Sequence, residues 1–182
     1  MLPHSACQAV DRMLPRLTLL LGGARSGKSR HAESLAAAEP APWRYVATAQ
    51  ALDAEMAERI ARHRERRGAG WETHEAPFDL SGIVARLGRE ASPILVDCLT
   101  LWLSNLMLAD HDLMRAFTDL ETAIEEARAP ILLVANEVGL GIVPENALAR
   151  RFRDEAGRLN QRLAARADQV LFMVAGVPMR VK

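Results

Sequence analysis

Leu17-Thr18-Leu19-Leu20-Leu21-Gly22-Gly23-Ala24-Arg25-Ser26-Gly27-Lys28-Ser29 decides the fold of this chain. It is an apolar run followed at once by Gly-x-x-x-x-Gly-Lys-Ser, and residues 30–38 after it read as a helix. The order strand, glycine-rich loop, helix suits a phosphate. Glycines let the backbone curl round phosphate oxygens, and amides at the helix N-terminus point at the same anion. In that geometry Gly22, Gly23, Ala24, Arg25, Ser26, Gly27, Lys28 and Ser29 hold a nucleotide, with Lys28 at the β- and γ-phosphates and Ser29 on Mg²⁺. A plain glycine-rich turn with a solvated lysine shares the pattern. Against it, Lys28 and Lys182 are the only lysines among 23 basic residues, so a chain that otherwise uses arginine keeps a compact, flexible ammonium here.

Working outward, 182 residues with 49% hydrophobic content bury a full core and fit one domain better than two, over residues 16–182, with residues 1–15 as an N-terminal extension. Met13 is an alternative start within that extension. Zero formal net charge gives no global field for nucleic acid or an anionic membrane. Cys7 and Cys98 are too few for a disulfide framework or a zinc site, which points to a reducing compartment, the cytoplasm by default. Arg12 to Arg16 ahead of residues 17–21 faintly suggests a signal peptide, but its apolar core is too short and cleavage there would cut into the phosphate loop. No apolar run approaches the ~18 residues that a membrane span needs.

Beyond the first helix, β-rich or buried runs at 43–48, 71–77, 93–97, 130–135 and 169–175 alternate with helical stretches at 52–67, 79–89, 99–109, 113–128 and 145–167. Residues 177–182 turn back as an antiparallel edge strand. The 99–109 helix is apolar enough to be core or a subunit interface, and the 145–167 helix is expected to place Leu148, Phe152, Leu159 and Leu163 inward. The alternation predicts a three-layer α/β fold of the P-loop NTPase, RecA-like type: a mostly parallel central sheet with helices on both faces. Such sheets bind ligands beyond the carboxyl ends of their strands, where residues 22–29, 48–50, Asp97 and Asn136-Glu137 all fall.

Asp97 closes a buried strand, where phosphate-loop enzymes carry a second acidic element that orders Mg²⁺, although such a residue also arises by chance. His63 likewise has two readings. Leu52, Met56, Ile60, His63 and Arg67 share one helical face, and in the run Arg62-His63-Arg64-Glu65-Arg66-Arg67 the histidine can be a surface residue amid ion pairs. Alternatively, the surrounding guanidiniums lower its pKa and clamp a triphosphate, leaving a neutral imidazole able to attack an α-phosphate.

The phosphate loop with Arg30-His31-Ala32-Glu33, Tyr45-Val46-Ala47-Thr48-Ala49-Gln50, Ile60-Ala61-Arg62-His63, Trp71-Glu72-Thr73-His74-Glu75-Ala76-Pro77, Asn136-Glu137-Val138-Gly139-Leu140-Gly141-Ile142-Val143-Pro144-Glu145-Asn146 and Arg158-Leu159-Asn160-Gln161-Arg162-Leu163-Ala164 together resemble the bifunctional adenosylcobinamide kinase/adenosylcobinamide-phosphate guanylyltransferase family of cobalamin biosynthesis. The resemblance runs in order over residues 17–182. It implies that ATP or GTP phosphorylates the aminopropanol hydroxyl of adenosylcobinamide. GTP then guanylylates His63, and the GMP passes to adenosylcobinamide phosphate. Thr48, Ala49 and Gln50 with Arg64, Glu65, Arg66 and Arg67 resemble segments bordering the bound nucleotide, and Glu75 and Asp97 resemble acidic positions that contact nucleotide or metal. Relatives can have glutamate at Asp97 and a second histidine at Arg62. Glu137 could be a metal partner or the base for the substrate hydroxyl, and His31 and His74 read as structural. The resemblance also implies a homotrimer, for which the 99–108 segment is a candidate contact, and a mobile His63 helix, since two phosphorus atoms must meet different acceptors. Two rivals remain at this point: a kinase without guanylyl transfer, and a RecA-like nucleotide switch.

Overall fold

The structure is a computed structural model that describes residues 14–51, the single positions Ala54, Glu58, Ala61 and Glu65, and residues 67–182. Strands β1 (Leu17–Gly22), β2 (Trp43–Ala47), β3 (Trp71–Glu75), β4 (Ile94–Asp97), β5 (Ile131–Val134), β6 (Gln169–Val174) and β7 (Val177–Arg180) form one sheet in the order β3-β2-β4-β5-β1-β6-β7. The first six are parallel and β7 pairs antiparallel with β6, from Leu171 opposite Arg180 to Val174 opposite Val177. The expected mostly parallel sheet with an antiparallel edge is therefore present. Helices α1 (Lys28–Ala36), α2 (Leu80–Leu87), α3 (Leu99–Leu108), α4 (Leu113–Glu126) and α5 (Ala147–Arg166) cover it. Each expected helix outside residues 52–67 lies within a few residues of its predicted span.

Because strand side chains alternate between faces, the apolar runs divide the core in two. Leu19, Val46, Val96, Ile131 and Leu133 point to one face, against Leu80 and Val84 of α2, Trp102 and Leu103 of α3, Phe117 and Leu120 of α4, and Leu159 and Leu163 of α5. Leu20, Tyr45, Leu95, Leu132 and Val134 point to the other, where Ala32 and Ala36 of α1 pack. Asp79 caps α2, its carboxylate accepting the Gly82 N–H at 2.9 Å, and Asp112 and Asn146 cap α4 and α5 in the same way. Each cap satisfies a first-turn amide that the helix leaves open.

Two expectations are refined. Of the two readings of the apolar α3, the core one is seen: Leu99, Trp102, Leu103 and Leu106 are buried, and within it only Leu108 is exposed. In α5, Leu159 and Leu163 are buried and Phe152 is half-buried, but Leu148 is 51% exposed. A 20-residue helix is roughly 30 Å long, whereas six-residue strands reach about 20 Å, so the first turn of α5 overhangs the sheet. Among the described residues no helix is long and apolar enough to cross a membrane.

Candidate functional site

The turn from β1 into α1 requires glycine twice. Gly22 has φ 146° and a Cβ there would fall 2.5 Å from the Met173 carbonyl oxygen. Gly27 has φ 95° and its Cβ would come 3.2 Å from Gly176 Cα. Between them the loop closes on itself through Ser26 N–H to Gly23 O at 3.3 Å, and the Gly176 N–H ties it to the β6–β7 turn by donating to Ser26 O at 3.0 Å. Gly27 is the N-cap of α1 and supplies no side-chain cap, and no acidic residue occupies the first turn. The open amides and the positive end of α1 therefore face the cleft.

Lys28 is 6% exposed and donates to Gly22 O at 2.9 Å, Gly23 O at 2.6 Å and Ser26 Oγ at 3.4 Å. Burial holds its pKa below the ordinary lysine value, with the neighbouring Cys98 and Asp97 acting in the opposite direction. The loop thus keeps the ammonium at its own rim.

Across the cleft, β4 is separated from β1 by β5, which sets Asp97 about two strand spacings, ~10 Å, from the loop's strand and leaves room for phosphates between them. Asp97 Oδ2 accepts the Tyr45 hydroxyl at 2.9 Å. The guanidinium of Arg67 lies 3.4 Å above the centre of the same Tyr45 ring. Burial, with Asp97 beside it, pushes the Tyr45 hydroxyl well above the ordinary tyrosine value, so it stays a hydrogen-bond donor. Arg67 Nε and Nη1 are buried and have no hydrogen-bond partner. A half-buried arginine with orphaned N–H groups at a cleft wall suits an arriving anion. Burial pushes the Cys98 thiol up to about 11, so it is a neutral thiol and not a nucleophile.

These groups surround a cleft of about 820 Å³, within the size range of small-molecule sites. Of the predicted residues, Ala24, Arg25, Ser26, Gly27, Lys28, Ser29, Ala49, Arg67 and Asp97 line it together. Gly22 and Gly23 contribute the carbonyls that hold Lys28. Thr48 is fully buried and outside the cleft lining, donating to Cys98 O at 2.7 Å and accepting the Cys98 N–H at 2.9 Å, so its hydroxyl braces the ends of β2 and β4. Gln50 is half-buried just beyond β2 and Glu75 ends the edge strand β3, exposed, and neither lines the cleft. Glu65 is helical and exposed. His63, Arg64 and Arg66, with the rest of the 52–66 face, lie outside the described residues.

Ser29 and Asp97 offer a hydroxyl and a carboxylate oxygen on the cleft wall, hard donors that fit Mg²⁺ carried in with phosphates and water. Among the described residues no cluster of three or more histidine, cysteine or acidic side chains forms a protein-only metal cage. The Glu137 N–H donates to Gly22 O at 3.0 Å and its carboxylate accepts the Gly139 N–H at 2.5 Å, so it fastens the β5 loop to the phosphate loop.

Sequence reading missed Tyr45, whose polar tip inside a buried strand three residues before Thr48 was the available signal. His31, expected to be structural, also lines the cleft, and burial lowers its pKa. His74 lies on β3 away from the cleft, its pKa lowered first by burial and then by Arg86.

Residues 18–181 match the family described as cobinamide kinase / cobinamide phosphate guanyltransferase. The chain is 51% identical over 167 residues to the bifunctional adenosylcobalamin biosynthesis protein CobP of Pseudomonas aeruginosa, covering 90% of this chain and 96% of that one. It is 45% identical over 181 residues to the bifunctional adenosylcobalamin biosynthesis protein CobU of Salmonella typhimurium, covering 91% and 99%. Among solved structures it is similar to the flagellar accessory protein FlaH of Methanocaldococcus jannaschii at 12% identity and a TM-score of 0.54, over 93% of this chain and 80% of that one, a likeness of fold alone. The chain belongs to the cobinamide kinase / cobinamide phosphate guanyltransferase family, a bifunctional enzyme on a P-loop, RecA-like α/β fold.

Proposed function

We propose that this chain carries out both reactions of its family in the one cleft. In the first, the aminopropanol hydroxyl of adenosylcobinamide attacks the γ-phosphate of ATP or GTP, the bond to the β-phosphate oxygen breaks, and the nucleoside diphosphate leaves. In the second, an imidazole nitrogen of His63 attacks the α-phosphate of GTP and pyrophosphate leaves. The phosphate of adenosylcobinamide phosphate then takes the GMP, giving adenosylcobinamide-GDP and free His63.

The loop amides and Lys28 hold the phosphate chain, and Arg67 supplies the charge-assisted bonds its orphaned N–H groups call for. Ser29 and Asp97 would hold Mg²⁺, which would supply charge neutralisation to the phosphates. The observation that carries the second reaction is the place of Arg67 in the cleft wall. His63 precedes it by four residues, and four residues of chain span at most about 14 Å, which ties the histidine to the wall of the phosphate cleft.

The test uses GTP labelled with ³²P at the α-phosphate. The chain takes up acid-labile label, and His63→Ala takes up none while still forming adenosylcobinamide phosphate. A wild-type chain that phosphorylates the corrinoid and never carries label is a kinase alone. We place the enzyme in the cytoplasm as a homotrimer. Its subunit contacts draw on exposed apolar residues such as Leu140 and Ile142 in place of the buried α3, which light scattering of Ile142→Ser checks.

A further inference from the structure

Tyr45 sits between the two charged groups that face the phosphates. Its hydroxyl donates to Asp97 Oδ2 at 2.9 Å, and its ring carries the Arg67 guanidinium at 3.4 Å. The residue is 5% exposed, and Trp71 meets the ring edge-on with centroids 6.2 Å apart, backed by Trp43 at 5.5 Å from Trp71. The ring is therefore held from the sheet side and has little freedom to turn. Its two polar contacts are of different kinds and are removable separately. The hydroxyl fixes the direction of a carboxylate, as outer partners of metal ligands do. The face fixes the height and aim of a guanidinium whose Nε and Nη1 make no hydrogen bond.

We infer that Tyr45 is a positioning residue that divides the two reactions: its hydroxyl sets Asp97 for the metal-bearing end of the triphosphate, and its ring aims Arg67 at the α-phosphate attacked by His63. This rests on the function proposed above. Asp97 acts where the β- and γ-phosphates carry metal, so loss of the hydroxyl weakens metal binding. Arg67, four residues beyond His63 in the sequence, acts where the guanylyl group is transferred, so loss of the ring weakens guanylylation at any metal concentration.

The test compares Tyr45→Phe, Tyr45→Leu and Arg67→Ala in the full chain. Mn²⁺ affinity is read by electron paramagnetic resonance with a non-hydrolysable GTP analogue, and guanylylation of the protein is read from the α-³²P label at saturating metal. Tyr45→Phe lowers Mn²⁺ affinity by about tenfold, the scale of lost outer-partner contacts. Tyr45→Leu does the same and also slows labelling by roughly 10² or more, the scale of losing one positioned donor to a reacting phosphate. In the double variant Tyr45→Leu/Arg67→Ala, labelling is no slower than in Arg67→Ala alone, because the ring acts through Arg67. If the two losses multiply, or if Tyr45→Phe slows labelling as much as Tyr45→Leu with Mn²⁺ affinity unmoved, the assignment is overturned. Where Tyr45→Leu does not fold, Arg67→Gln reads the same arm: it slows labelling at saturating metal and nucleotide by far more than it lowers Mn²⁺ affinity, and equal loss of both overturns the division. A wild-type chain that never labels removes the proposed function and this inference together, whereas a labelling wild type with the wrong variant pattern removes this inference alone.

Discussion

The two faces of the sheet are built for different work. One is a continuous apolar layer in which α2 to α5 bury Trp102, Phe117, Leu120 and Leu163 with almost no exposure. The other, among the described residues, holds a smaller cluster under α1, and its remaining surface is the cleft with Lys28, Asp97, Tyr45 and Arg67. The first face is held by non-directional burial, which tolerates shape changes at a cost in stability. The second is held by directional contacts among charged and polar groups, where a small displacement costs chemistry before it costs folding.

That contrast can be broken, and the largest effect should come from the packed face. Phe117→Ala removes a fully buried ring beside Trp102 and is expected to cost about 3–5 kcal/mol in urea unfolding, while guanylylation per folded molecule stays at the wild-type rate. Impaired labelling in the folded fraction would mean that the faces are mechanically coupled. Gly27→Ala tests the other side. Forcing a side chain to φ 95° against Gly176 costs roughly 1–2 kcal/mol of strain, yet nucleotide affinity, read by fluorescent-GTP titration, should fall by more than the stability change accounts for. An unchanged affinity would show that the loop has slack.

The smallest effect sharpens the packed face through a buried carboxylate. Glu121 is 4% exposed and bonded by Arg162 through Nε and Nη2, with Arg166 Nη2 at 3.0 Å. The Arg162 hydrogen bonds hold its carboxyl below the ordinary glutamate value against the opposing effect of burial. A folded pKa below the unfolded one gives stability that is complete above the unfolded value, near pH 4.3, and lost as pH falls through the folded one. Between pH 6 and pH 3 the wild type should lose on the order of 1 kcal/mol more than Glu121→Gln, by urea midpoints at each pH.

What could be read from the chain alone follows the same division. The phosphate loop was legible because its constraint is local: Gly22 and Gly27 adopt backbone angles that few other residues take. The strands and most helices were legible because burial imposes a period. Leu148 misled because periodicity says which residues share a face but not where the sheet beneath them ends. The role of the Thr48 hydroxyl was not legible, because only the fold brings Cys98, fifty residues on, to it. Tyr45 was missed for the same reason. Nothing between residues 45 and 67 or 97 announces that one ring will carry a cation on its face and a carboxylate at its tip.

Lys28 rests on the carbonyls of Gly22 and Gly23, peptide oxygens that engage its ammonium as phosphate oxygens would. An incoming triphosphate need not mould the turn; it trades places with two peptide oxygens for one ammonium. Arrival is then an exchange of hydrogen-bond acceptors within a finished frame, and the ordering cost of that frame was already met when the chain folded.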